Sequence, residues 1–301
     1  MSNTSFGEIQ SSPPRLALWW RACRPFSFPA SLTPILLGAS LVAGDPFDLG
    51  VHGDWKLLPL ILFSSLMLHG ATNMSNDYYD FRNGVDDRES KGCSGILTEG
   101  LMSPDELFRG AKVLFGLASL LGFGIYWFRG WPILMLGALG IFGGYFYTAD
   151  PLGYKYMALG ELFVFLLMGP LMVSGTFYAL SGTFDWPVLM VSLPIGSLVA
   201  AILSANNYRD RVRDVKKGAK TLANLLSPHG ARLLYLALLL SAYLWVLLLL
   251  GMELLPLSSL LVLLSLPLAL DNGLSLGDES TQGSLALESL DARTAKLHLV
   301  F

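Results

Sequence analysis

The chain has 301 residues, of which 20 are Lys or Arg and 23 are Asp or Glu, so charged side chains make up 14%, against roughly a quarter in soluble proteins. A hydrophobic fraction of 53% and a mean hydropathy of +0.53 exclude disorder, a secreted disulfide scaffold and an ordinary water-soluble domain, and leave a membrane protein. The net charge of −3, with the basic residues in short connections and not along one helical face, argues against a nucleic-acid partner.

Cys23 and Cys93 match no metal or redox spacing and read as reduced thiols. Arg15, Arg21 and Arg24 precede an apolar run as in a signal peptide. The polar leader is long, however, and further apolar runs follow, so an uncleaved first span is expected.

A helix rises about 1.5 Å per residue and the hydrocarbon core is about 30 Å thick, so runs of roughly 17 to 25 apolar residues are candidate spans. In chain order there are eight: Pro25 to Gly44, Leu57 to Asn73, Ala111 to Phe128, Trp131 to Tyr147, Leu162 to Leu180, Trp186 to Ala205, Leu233 to Gly251 and Leu254 to Leu270. None alternates as a barrel strand would, so the expectation is an all-α, multi-span helical bundle. Residues 1–24 are expected to form a cytoplasmic N-terminal segment and residues 25–301 one transmembrane domain. Apart from Lys112, the spans hold no Asp, Glu, Lys or Arg. Proton pumps and ion-coupled carriers place such groups at membrane depth, so the charge pattern argues against both.

With a cytoplasmic N-terminus, only Lys56 and Arg129 of the 20 basic residues fall on the far side, which fixes the expected orientation at the cytoplasmic (plasma, or inner) membrane. Two cytoplasmic helix ends then resemble each other: Asn73-Met-Ser-Asn76-Asp77-Tyr-Tyr-Asp80 and Asn206-Asn207-Tyr208-Arg209-Asp210-Arg-Val-Arg-Asp214. At 100° per residue, Asn73, Asp77 and Asp80 fall within about 60° of one another, and Asn206, Asp210 and Asp214 within about 80°. Like charges three or four residues apart repel, and more so beside a low dielectric.

A hard divalent cation compensates such pairs, because Mg²⁺ takes oxygen ligands and accepts substrate phosphates as further ones. Asp77, Asp80, Asp210 and Asp214 are therefore the expected metal ligands of a diphosphate clamp. Asn76 and Asn207 would serve as auxiliary oxygen donors, and Lys155 and Arg209 would steady the leaving group. The bland alternative is that each acid is a solvated loop residue paired with Arg209, Arg211 or Arg213. Asp86 and Asp87 are weaker candidates, since Gly84 ends the helix before them.

The run Asn76-Asp77-Tyr-Tyr-Asp80-Phe-Arg-Asn-Gly84-Val-Asp86, together with Asn207-Tyr-Arg209-Asp210-Arg-Val-Arg-Asp214, resembles the UbiA-type intramembrane prenyltransferases. Three further segments resemble their 1,4-dihydroxy-2-naphthoate polyprenyltransferase branch: Arg24-Pro25-Phe-Ser-Phe-Pro29-Ala-Ser-Leu-Thr-Pro34, Tyr147-Thr148 with Lys155-Tyr156 and Gly160-Glu161, and Ala292-Arg293-Thr-Ala-Lys-Leu-His298. The resemblance implies a nine-helix bundle around a central cavity. It also implies Mg²⁺-dependent ionisation of a polyprenyl diphosphate in the membrane lipid, and attack by an aromatic acid acceptor with decarboxylation, giving a demethylmenaquinol. The expected substrate-binding residues are Asn73, Asn76, Asn206, Asn207 and Tyr147. Gly84 stands where the family often has a third Asp. Leu297 to Phe301 only begin a ninth helix, so most of that helix is expected to be lacking, with Asp271 to Ala295 as the connection before it.

Tyr78, Tyr79, Tyr145, Tyr147 and Tyr208 lie near the expected mouth, where aromatic faces shield a cation or simply mark the membrane interface. Gly140 and Gly144 form a pair suited to close helix packing. Pro29, Pro34, Pro170, Pro194 and Pro267 are expected to kink or open their helices. His69 reads as a hydrogen-bonded interior residue. Two rival functions remain: a carrier with an acidic cytoplasmic mouth, or transfer to another aromatic acceptor such as 4-hydroxybenzoate. A CDP-alcohol phosphotransferase would need an Asp-Gly-x-x-Ala-Arg run, which is absent.

Overall fold

A computed structural model describes residues 13–276, 287 and 289–301, and the described residues are helical with no strand. Ten helices carry the architecture: α1 (Arg15–Ala22), α2 (Pro29–Gly44), α3 (Leu58–Arg82), α4 (Pro104–Arg129), α5 (Trp131–Tyr145), α6 (Gly160–Ser181), α7 (Trp186–Lys217), α8 (Pro228–Gly251), α9 (Leu257–Leu274) and α10 (Leu290–Val300).

By length and composition, six helices in the described residues can cross a membrane, namely α3, α4 and α6 to α9; the bent pair Arg15–Ser27 and Pro29–Gly44 makes a seventh if counted as one span. The expected count of eight is not reached on this measure. α5 has 15 residues, about 22 Å of helix, short of the hydrocarbon core. α10 begins at Leu290, seven residues before the expected Leu297, and lies against α7. α9 likewise continues through Asp271 to Leu274, so the expected connection is helical at both described ends; residues 277–286 and 288 of it lie outside the described residues.

Proline placement follows its missing N–H. Pro29 starts α2 and does not kink it, and Pro34 sits inside that helix. Pro170 coincides with a π-turn over Leu167–Leu171 in α6, Pro194 follows a turn at Ser192 in α7, and Pro267 opens the α-helical part of α9 after a 3₁₀ stretch. Between α1 and α2 the chain turns by 59°, with Arg24 in a left-handed conformation at φ 52°.

In lipid, apolar surface alone does not drive helices together, so close packing through small residues matters. A Cβ on Gly169 of α6 would lie 2.6 Å from Gly196 Cα, and one on Gly38 of α2 would lie 2.6 Å from Val173 O of α6. Gly144 seats α5 directly on Thr72 of α3, as its spacing with Gly140 suggested. α7 is 32 residues long, about 48 Å, so it outruns the hydrocarbon core. At its polar end, as at that of α3, the acids are buried, with Asp80, Asp210 and Asp214 all under one-tenth exposed.

Candidate active site

A cavity of about 630 Å³ runs inside the bundle. Its deep wall is apolar, formed by Ile61, Ile125, Ile133, Leu136, Leu171 and Met172. Its other end is polar, and the acidic helix ends meet there: Asn73, Asn76 and Asp80 from α3, Asn206, Asn207, Asp210 and Asp214 from α7, and Tyr147 and Lys155 from the segment between α5 and α6. From Ile61 to Asp80 along α3 is about 28 Å, so the cavity reaches through most of a membrane's thickness.

Asp80 is 2% exposed. Lys155 Nζ donates to its Oδ2 at 2.7 Å and more weakly to Asn76 Oδ1 at 3.4 Å, and the Tyr156 hydroxyl donates to Asp80 Oδ1. Burial opposes the Lys155 charge, but the Asp80 carboxylate outweighs it and raises the lysine's pKa. The ammonium also lies 5.8 Å from the centre of the Tyr147 ring. Of the five tyrosines expected at the mouth, only Tyr147 lines the cavity. Tyr78 stacks on Phe108, and the Tyr79 and Tyr145 hydroxyls share a 2.9 Å hydrogen bond in the packing between helices.

On α7, Arg209 is tightly held. Its Nε and Nη2 donate to Asp210 at 3.1 and 2.8 Å, Nη2 also to Asn206 Oδ1, and Nη1 to Asp291 of α10 at 2.5 Å. Arg213 adds a second cation 3.3 Å from Asp210. The Asp214 carboxylate is buried and has no hydrogen bond or ion pair among the described residues, yet it lies in the fields of Lys155, Asp210, Arg213 and Asp80.

The loop after α3 draws the two clusters together. Lys217 Nζ donates to Asp87 at 2.6 Å and Arg213 Nη1 to Glu89 O at 3.3 Å, while a Cβ on Gly92 would lie 3.3 Å from Asn206 Oδ1. Asp86 also lines the cavity, and burial plus the neighbouring Asp80 pushes its carboxyl above the ordinary range.

Asp77 is placed differently from the other three acids. It lies outside the central cavity, buried between the Arg24 guanidinium and the Ser94 backbone N–H, which donates at 3.1 Å. Asn73 donates to Cys23 O and Ser27 Oγ at 2.9 and 3.0 Å. His69 bridges Ser27 Oγ and Ser31 Oγ at 3.1 and 2.6 Å, the hydrogen-bonded interior role expected of it.

A metal-ion fit can be judged from the donors. Among the described residues, no three His, Cys, Asp or Glu side chains stand close enough to hold an ion alone. Mg²⁺ rarely needs such a cage; it keeps waters and is bound through one or two carboxylates plus substrate phosphates. An all-oxygen wall of carboxylates and carboxamides, including the unpartnered Asp214, fits an ion shared with a diphosphate.

The sequence names Lys155, Arg209 and Arg213 as cations near these acids, but gives no sign that Arg24 pairs with Asp77 or that Lys155 pairs with Asp80. Arg24, Tyr156 and Glu161 stand in segments quoted for likeness only. Arg213 was taken as a generic partner, and Asp291 carries no local signal because it reaches the site from the other end of the chain.

Known proteins resemble the chain in sequence and in fold. A sequence profile described as the UbiA prenyltransferase family matches residues 31–284. The chain is 36% identical over 249 residues to the 1,4-dihydroxy-2-naphthoate octaprenyltransferase of Bacillus subtilis (strain 168), covering 82% of this chain and 78% of the relative. It is 34% identical over 284 residues to human UbiA prenyltransferase domain-containing protein 1, covering 93% and 79%. In fold it resembles a UbiA homolog from Archaeoglobus fulgidus bound to DMAPP and Mg²⁺, with TM-score 0.61, 18% identity, and coverage of 94% and 96%. The chain therefore belongs to the UbiA prenyltransferase family and is an integral-membrane prenyltransferase.

Proposed function

We propose that this enzyme transfers a polyprenyl group from a polyprenyl diphosphate to 1,4-dihydroxy-2-naphthoate, with loss of the carboxyl as CO₂, giving a demethylmenaquinol. The observation that carries the reading is the meeting of the α3 and α7 acidic ends at the polar mouth of one apolar cavity. The 36%-identical bacterial relative favours this acceptor.

Asp80, Asp210 and Asp214, with Asn76 and Asn207, would hold a Mg²⁺ shared with the diphosphate. Asp77 would join them by exchanging Arg24 for the cation. When bound, the ion neutralises phosphate charge and makes diphosphate a better leaving group. The chain's own residues do the rest. Lys155 holds the departing phosphates from the cavity wall. Arg209, which does not line the cavity and is bound to Asp210, Asn206 and Asp291, would reach them only by leaving those partners. Asn73 and Asn206 orient the groups around them. In the transfer, the allylic carbon–oxygen bond breaks, a bond to the acceptor ring forms, and diphosphate and CO₂ leave. The apolar wall takes the prenyl tail and keeps water from the electron-poor allylic carbon. Tyr147 turns an aromatic face toward the same end, which suits a cationic centre. Such a cavity receives its lipid substrate within the membrane, and the clustering of basic loops supports a cytoplasmic mouth.

The test is to incubate membranes holding the enzyme with Mg²⁺, a labelled polyprenyl diphosphate and one acceptor at a time, then to identify the lipid product. Prenylated, decarboxylated naphthoquinol is expected, and none after chelation with EDTA. Product from 4-hydroxybenzoate and none from 1,4-dihydroxy-2-naphthoate would overturn the acceptor. Movement of a solute into vesicles unchanged, without transfer, would overturn the reaction.

A further inference from the structure

Glu161 occupies a position that the proposed chemistry leaves unexplained. It lies in the first turn of α6, is 4% exposed, and is the only ionisable carboxylate of that helix. Its Oε1 accepts a hydrogen bond from Asn207 Nδ2 at 2.9 Å, whereas its Oε2 is buried with no partner among the described residues. An acid in a first helical turn is favoured by the helix dipole, but an exposed one would gain that without the desolvation cost of a sealed carboxylate. Burial against Asn207 therefore calls for a different cause.

That cause lies in hydrogen-bond chemistry. Oε1 of Glu161 accepts from the amide NH₂ of Asn207, which turns the carbonyl Oδ1 of that amide away from the glutamate. Asn207 is part of the cavity wall, and its Oδ1 accepts no hydrogen bond among the described residues. It shares a face of α7 with Asp210 and Asp214, three and seven positions on. The backbone approach of α6 and α7 at Gly169 and Gly196 holds the two helices in this register.

We propose that Glu161 is a positioning residue: by fixing the Asn207 amide, it presents the carboxamide oxygen to the cation and diphosphate at the mouth. This rests on the site reading given under the proposed function. Partners that orient a ligand in this way typically affect metal affinity by about 10- to 100-fold.

The test uses the full-length chain in detergent, with Mn²⁺ as a spectroscopic substitute and inorganic pyrophosphate as the probe, read by electron paramagnetic resonance. Glu161→Gln keeps shape but allows the Asn207 amide to flip. It should weaken Mn²⁺–pyrophosphate binding by about tenfold or more and raise the KM for prenyl diphosphate more than it lowers kcat. The double variant E161Q/N207D restores one donor facing one acceptor and returns an oxygen to the cavity, so binding should recover to near the unsubstituted level. Unchanged binding in E161Q with the fold intact by thermal melting would overturn the proposal, as would a loss that the double variant does not relieve. Absence of Mn²⁺–pyrophosphate binding by the unsubstituted chain would overturn the site reading beneath it.

Discussion

Asp86 shows how charge is balanced residue by residue at the mouth. Burial and the nearby Asp80 raise its pKa, with Lys155, Arg24 and Arg213 only partly offsetting them. A raised folded value means that the group supports the metal-free fold fully below its unfolded pKa of about 4 and loses that support as pH rises through the higher folded value. In EDTA, Asp86→Asn should therefore raise the melting temperature at pH 7 by a few degrees and give no gain near pH 4. Equal melting of both chains at pH 7 would contradict this. At this scale the sequence was informative where spacing alone decides. Asp80, Asp210 and Asp214 line the cavity on stripes that helical periodicity drew, whereas Asp77 shares the α3 stripe yet lies outside the cavity. The adjacent partners of Asp210, Arg209 and Arg213, were legible; the distant ones were not, since Arg24 reaches Asp77 across 53 residues and Lys155 reaches Asp80 across 75, through turns with no periodic signal.

The helices and the loop between α3 and α4 set the geometry. The Lys217–Asp87 ion pair ties that loop to α7, and the lysine's hydrogen bond lowers the Asp87 pKa. The tether should thus be complete above about pH 4 and be lost as pH falls through the lowered Asp87 value. Lys217→Met should free the loop, seen as faster proteolysis or hydrogen exchange between residues 83 and 103, with little change in global melting. Unchanged protection there would count against the tether. α6 and α7 touch backbone to backbone at Gly169 and Gly196, so Gly196→Leu should overpack the crossing, cost about 1 to 3 kcal/mol, and lower the melting temperature in detergent; an unaffected melt would place the crossing elsewhere. Apolar length recovered most spans because hydropathy reports on lipid directly. It missed the shortness of α5 and the early start of α10, because Leu290 to Lys296 mixes polar and apolar residues and becomes helical by packing on α7.

Across the whole molecule, two distant stretches of chain act as one site. α3 and α7 each end in carbonyl and carboxylate oxygens, and the cavity joins them above a greasy interior. In the structure Asp77, Asp80 and Asp210 are each matched to a cation, while Asp214 and Asp86 are not, so the mouth is held together by ion pairs that a metal–diphosphate pair can replace. If Asp80 and Asp210 grip the same bound group, removing either should destroy nearly all of its function, and removing both should add little. The decisive measurement is Mg²⁺-dependent prenyl transfer in membranes by the unsubstituted enzyme, Asp80→Asn, Asp210→Asn and the double variant. Each single variant should lose at least about a hundredfold in kcat/KM, and the double variant should be scarcely worse than the weaker single one. Retained transfer by Asp210→Asn, or losses that multiply fully in the double variant, would contradict a shared site.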